Sequence, residues 1–192
     1  MDSDNFINKL PNIKPRSIIL LRVTNELRIF EIIMSLLSEI IYVHDHRVIM
    51  ILGNRPVSNV VERLSRFNFN INEAIEKKKI LFIDCLTRSV AGSRIKGALF
   101  ISSPRDLSEL QLSIERAFRL LDTQKRRVWL ILDGLSTFLI FNGTTRVLQF
   151  LIFLTNRLRV LGHNGIIFYY ESELEKQLEN VIRQYVDAVH EV

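Results

Sequence analysis

Five short apolar runs punctuate the chain: Ser17–Val23, Arg47–Leu52, Ile80–Asp84, Val128–Asp133 and Gly165–Tyr170. Each is rich in Ile, Leu, Val or Phe, and none alternates polar with apolar positions. A strand with one wet face alternates, so unbroken runs of this length predict strands covered on both faces, as in a parallel sheet. The segments between them carry helical spacing. Leu27–Ile41 is apolar apart from a narrow stripe of Glu31, Ser35, Ser38 and Glu39, while Val57–Phe67 is amphipathic and Ile71–Lys77 allows a turn or two. Asp106–Leu121 follows Ser103-Pro104 and has an acidic first turn, a helix start signal. Thr144–Leu161 predicts a helix stopped by Gly162, Glu171–Gln184 is the most polar helix, and Ala188–Val192 reads as a short closing strand. Strands alternating with such helices predict the α/β class. Right-handed crossovers then place helices on both faces of a mostly parallel sheet, giving three layers, α/β/α.

Length and composition narrow this picture. At 192 residues and 47% apolar, the chain reads as one domain with a sizeable core, and a disordered protein is excluded. Residues 1–16, with Pro11 and Pro15, read as an N-terminal arm or lead-in, and residues 17–192 as the single domain. Seven glycines and four prolines predict few, short loops. The formal net charge of +5 permits an acidic partner such as nucleic acid and equally suits positive charge spread for solubility. Cys85 is the sole cysteine, which excludes an internal disulfide and a cysteine-based zinc cluster. The acidic, polar MDSDNFINKL start is not a secretory signal, and no uninterrupted apolar run approaches the roughly 18 residues of a membrane span. A soluble cytoplasmic protein without membrane contact is expected. Two helices are more apolar than a surface helix needs. Leu27–Ile41 is expected to be sandwiched in the core. The VLQFLIFL segment, with Leu148, Leu151 and Leu154, is expected either there or at a self-association or partner interface.

The order of elements, with several local matches, resembles the RecA-like ATPase core and most closely its archaeal KaiC-like branch. ILFIDCLTRS at Ile80–Ser89 looks like that family's third strand. VWLILDGLSTFL at Val128–Leu139 resembles its Walker B strand, an apolar run ending in Asp. FLTNRLRVLGHNGIIFYY at Phe153–Tyr170 resembles the following helix and strand, and YVDAVHEV at Tyr185–Val192 the closing strand. The resemblance covers about residues 15–192. It implies a phosphate-binding turn, G-x-x-x-x-G-K-[ST], whose glycines let backbone N–H groups approach phosphate while Lys and Ser/Thr handle charge and Mg²⁺. Aligned without gaps, SIILLRVTNELRIFEII places Val23 and Arg28 on the two glycines, Ile29 on the lysine and Phe30 on the hydroxyl residue. Asp133 falls on the Mg²⁺-organising carboxylate. The general-base Glu expected after the second strand is replaced by Gly53, Asn54 and Arg55. Arg22 and Arg28 read as solvated or ion-paired, and Asp133 as a structural residue receiving hydrogen bonds from the turn at Gly134–Ser136.

Other constellations are weaker. His44-Asp45-His46 puts two His on one side of a strand, with no further ligand visible. Cys85 reads as a small buried hydrophobe. Asp84 and Asp133 both end strands and could meet at one sheet edge for acid–base or cation chemistry. Nucleic-acid contacts are expected, if anywhere, from TRSVAGSRIK, with Arg88, Arg94 and Lys96, and from FNGTTR, with Arg146; no aromatic residue interleaves with these charges. The sequence therefore points to a non-catalytic RecA/KaiC-like protein, an inactive ATPase needing no cofactor and no nucleotide, that works by protein binding or oligomer formation. The alternatives are a recombinase-paralogue-like accessory factor in DNA repair that binds DNA through basic loops, and an ATPase with a rearranged site.

Overall fold

The computed structural model describes residues 13–24, 28–90, 92, 94–121, 126–170 and 176–192. Seven strands form one sheet: β1 (Ile18–Val23), β2 (Arg47–Leu52), β3 (Ile80–Asp84), β4 (Ala98–Phe100), β5 (Val128–Asp133), β6 (Asn164–Tyr170) and β7 (Ala188–Glu191). Their order is β4-β3-β2-β5-β6-β1-β7, and every pairing is parallel. The five apolar runs of the sequence are β1, β2, β3, β5 and β6, and β2 and β5 are buried at every position.

Alternate strand residues feed two separate cores. One face carries Ile19, Leu21, Val48, Met50, Ile131 and Phe168, packed under α1 (Ile29–Ser38), α2 (Val57–Arg66) and α3 (Ile71–Glu76). The other carries Ile18, Leu20, Ile49, Ile51, Leu130 and Tyr169 under α4 (Leu107–Leu121), α5 (Leu135–Asn142), α6 (Thr144–Leu161) and α7 (Lys176–Ile182). The expected three-layer α/β/α architecture is the one observed, and the doubly covered strands explain why no polar–apolar alternation is present.

Several details differ from the sequence reading. The helix expected over Leu27–Ile41 is α1 followed by a π-helical turn at Glu39–Val43, where the His44 N–H donates to Glu39 O at 3.1 Å. Neither β4 nor α5 was expected. β4 has three residues, too few for a periodic signal, and α5 continues the apolar character of β5 across Gly134, whose φ of 110° makes the break. Of the lead-in, residues 1–12 lie outside the described residues, and Ile13 packs partly against the first core. The front of the polar helix, residues 171–175, also lies outside them.

Of the two placements left open for VLQFLIFL, the core holds most of the segment. Leu151 and Leu154 are buried in the second core and Leu148 is half-buried against it. Val147, Phe150, Leu151 and Leu154 form the buried side of α6, Phe153 of the same run is exposed, and the helix is anchored to α4 by a bidentate ion pair: Arg157 donates to the two Glu115 carboxylate oxygens at 2.6 and 2.7 Å. The most exposed large apolar side chains of this layer are Ile140 (79%), Val160 (74%) and Leu112 (71%), with Leu120, Phe141, Phe153 and Val181 less so.

Candidate functional site

The helices after β1 and β2 cover one face, and those after β5 and β6 cover the other. Chains that part in opposite directions leave a crevice at the carboxyl ends of their strands, where open α/β sheets place ligands. Here the crevice spans the ends of β1, β6, β5 and β2. Its floor is set by two glycines. A Cβ on Gly53 would lie 2.8 Å from Phe138 Cε2, and one on Gly134 would lie 2.8 Å from both Asn54 Oδ1 and Gly53 Cα. The loops after β2 and β5 therefore touch backbone to backbone, and Thr137 donates a hydrogen bond to Asn54 Oδ1 across the contact.

Asp133 ends β5 with no solvent exposure. Its Oδ1 accepts a 3.0 Å hydrogen bond from the Tyr170 hydroxyl at the end of β6. This corrects the expectation that the Gly134–Ser136 turn would be its donor. Asp133 Oδ2 and Ser136 Oγ are buried without a hydrogen-bond partner among the described residues. Burial pushes the Asp133 carboxyl above its ordinary value; the Arg55 guanidinium and the Tyr170 hydrogen bond pull it back only in part. Burial, and then the Asp133 charge, push the Tyr170 phenol up, so it stays protonated as the donor. Arg55 lies between this carboxylate and Phe30, its guanidinium carbon 4.9 Å from the ring centroid. Arg63 from α2 packs on the same ring at 4.7 Å. Cation–π contacts of this kind favour Arg on a ring over a hydrated, mobile side chain.

Val23 is the last residue of β1 and pairs with Tyr170 in register. Arg28 precedes α1, exposed, with Nε 3.3 Å from Glu31. Ile29 and Phe30 are buried in the first core. Residues 25–27, Glu26 among them, lie outside the described residues. Arg22 forms ion pairs with Glu179 of α7, at 3.9 Å, and with Glu191 of β7, so it ties the closing elements to β1.

Asp84 and Asp133 do not meet. Leu52 pairs with Asp84 on one side and with Asp133 on the other, which sets the two carboxylates two strand spacings apart. Asp84 is moreover saturated. It accepts from Val57 N–H at 2.6 Å, Leu86 N–H at 2.8 Å, Thr87 N–H at 2.7 Å and Thr87 Oγ1 at 2.6 Å. It caps the start of α2 and closes the turn after β3, a structural clamp rather than an acid–base partner. Buried Cys85, its thiol pushed well up by burial, is a core residue.

The residues Arg88, Arg94 and Lys96 all belong to the connection between β3 and β4, and Arg88 and Arg94 both lie against Phe100. Arg88 pairs with Glu109 at 3.1 Å, and Arg94 lies 5.8 Å from the centroid of the Phe100 ring. Lys96 stands next to Gly97, beside the amino end of β3. Arg146, in the first turn of α6, faces Arg105 across an open cavity of about 640 Å³ lined also by Ser108, Gln111 and Gln149. Arg105 lies 5.4 Å from the Phe141 ring, so aromatic side chains do reach these charges in space. His44 and His46 stack at 5.6 Å; His46 accepts from Trp129 Nε1 at 3.1 Å. Burial, Arg127 and His44 push the His46 imidazole down to about 4, keeping it neutral. Among the described residues no three His, Cys, Asp or Glu side chains gather as a metal site, and no helix is long and apolar enough to cross a membrane.

Sequence reasoning missed Arg55 and Tyr170 as partners of Asp133. No local pattern marks either one; only the register of β5, β6 and β2 brings them together.

A seven-stranded parallel sheet covered by helices on both faces, with the crevice at the ends of β1, β6, β5 and β2, defines a RecA-like α/β core. Among solved structures, the KaiC-like protein PH0186 of the hyperthermophilic archaeon Pyrococcus horikoshii superposes with a TM-score of 0.68, at 9% identity, over 92% of this chain and 72% of that one. An uncharacterized protein of the same organism, PH0321, solved in complex with an unknown peptide, superposes at 0.67 and 16% identity, over 98% and 82%. At such identities the likeness is one of fold. No curated protein matches the chain. The model of a family of unknown function, DUF7504, matches residues 44–192, and the chain belongs to that family. The matched stretch begins after β1 and α1.

Proposed function

We propose that this chain is a non-catalytic member of the RecA/KaiC-like group that acts by binding other proteins, copies of itself included. One observation carries the reading. Where the resemblance implies phosphate, lysine and Mg²⁺, the crevice holds the Phe30 ring under Arg55 and Arg63, and the Tyr170 hydroxyl occupies one oxygen of Asp133. Ile29 and Phe30, at the lysine and hydroxyl positions, are buried in the core, and Val23 is a paired strand residue. Among the described residues, those at the glycine, lysine and hydroxyl positions do not fit a Mg-nucleotide: they carry bulky side chains where bare backbone is needed and offer no ammonium group. No hydrolytic step is derived through such a group.

Protein binding is supported by apolar side chains that α4, α5 and α6 leave in solvent, Leu112, Ile140, Phe153 and Val160 among them. The peptide recorded in the PH0321 structure is consistent with a scaffold of this fold holding polypeptide. Sedimentation velocity over a hundredfold concentration range tests the self-association. The wild-type coefficient is expected to rise with concentration, and I140E/F153E to stay at the monomer value. A wild type that is monomeric throughout would contradict it.

A second reading, DNA binding in a repair complex, is favoured by one observation, the Arg105–Arg146 cavity at the starts of α4 and α6. If it holds, fluorescence anisotropy at low salt detects binding of labelled single- or double-stranded DNA. Arg146→Glu then weakens it several-fold, and the salt slope falls by about one. Absence of binding at low salt removes this reading.

A further inference from the structure

A second cavity, of about 250 Å³, lies at the opposite end of the sheet from the crevice, beside the amino end of β3. We infer that it binds a small amphiphilic monoanion, a compact apolar body carrying a single carboxylate. The inference is independent of the function proposed above.

The cavity follows from the shortness of β4. Pairing between β3 and β4 begins at Phe82↔Ala98, so Ile80 and Leu81 have no strand beside them on that side. Gly97 closes the wall next to them. Its φ is 83°, and a Cβ there would lie 2.4 Å from Ile75 Cγ2, so the chain passes over Ile75 as bare backbone. The floor is apolar and shared by both layers: Ile75 packs against the first core, and Leu81 and Leu121 belong with the second. Leu120 stands half in solvent at the mouth. A pocket of this kind desolvates the body of a ligand and leaves orientation to a few polar groups.

Those polar groups carry charge. Of the three consecutive lysines at the turn after α3, Lys77 pairs with Glu73 and Lys79 lies 3.2 Å from Asp45. Lys78, between them, points elsewhere and lines the cavity, as does Lys96 from the other side. Neither has an ion pair among the described residues. Glu76 stands on the same rim, exposed. Among the described residues that line the cavity, two ammonium groups and one carboxylate leave a single positive charge for a guest. That balance suits one carboxylate, whereas a second negative charge would meet Glu76.

The probe is octanoate, titrated into the full chain labelled with ¹⁵N, with octanol and octylamine in parallel. Saturating amide shifts are expected at Ile75, Ile80, Leu81 and Gly97, with octanol at least about tenfold weaker and octylamine weaker still, as one charge-assisted contact implies. K78A/K96A, two exposed positions, is expected to lower octanoate affinity about tenfold and leave that for octanol unchanged. Absence of saturation at these amides, equal affinity for octanoate and octylamine, or an unaltered double variant would each overturn the assignment.

Discussion

Asp84→Ala is expected to destabilise the protein by about 3–5 kcal/mol, the range for removing one side of a buried, multiply bonded charged group. For a chain of this size that lowers the thermal midpoint by roughly 6–20 °C. The cost arises because one carboxylate satisfies four donors at once: the N–H groups of Val57, Leu86 and Thr87, and the Thr87 hydroxyl. Truncation leaves the first turn of α2 and the turn after β3 without an acceptor in a buried setting. Asp84→Asn keeps one acceptor oxygen but turns an NH₂ group toward other donors, so an intermediate loss is expected. Urea denaturation of the three proteins measures this. A loss below about 1 kcal/mol for Asp84→Ala would show that the clamp contributes little.

Asp133→Asn is expected to act in the opposite direction. Burial raises the folded-state carboxyl above its ordinary value of 3.8, so the folded protein holds the proton more tightly than the unfolded chain does. A group raised in this way contributes stability that is complete below its ordinary value and is lost as pH rises through the raised one. At pH 7, well above the ordinary value, this buried carboxyl therefore weighs against folding. Asparagine removes the charge and keeps an acceptor for the Tyr170 hydroxyl. The variant should melt at a higher temperature than the wild type at pH 7–8, and the two curves should converge as pH falls toward 4. The sign discriminates between forces: if the Arg55 charge outweighed burial, the variant would melt lower at pH 7, and the account of this carboxylate would be wrong.

The physical reason for each success and failure of the sequence reading is specific. The five main strands were legible to within one residue at either end because burial on both faces leaves an unbroken apolar run. α5 was not, since Leu135–Asn142 is apolar around its circumference and merges with β5 in sequence. Leu151 and Leu154 were left between core and interface because hydropathy reports that a helix has an apolar side without saying what covers it. In the candidate site, Val23, Ile29, Phe30 and Asp133 could be named from their spacing in a motif. Arg55 and Tyr170 could not, because sheet register, not local pattern, brings side chains 37 residues or more apart onto one carboxylate.

The central claim is that Phe30, Arg55 and Tyr170 occupy the ground a nucleotide would need. Isothermal titration of Mg-ATP into the protein, paired with its thermal midpoint in millimolar Mg-ATP, tests this most directly, since any ligand held only by the folded state must raise the midpoint. No saturable heat and no shift are predicted. Saturable, Mg²⁺-dependent binding that is lost in Asp133→Ala would contradict the account.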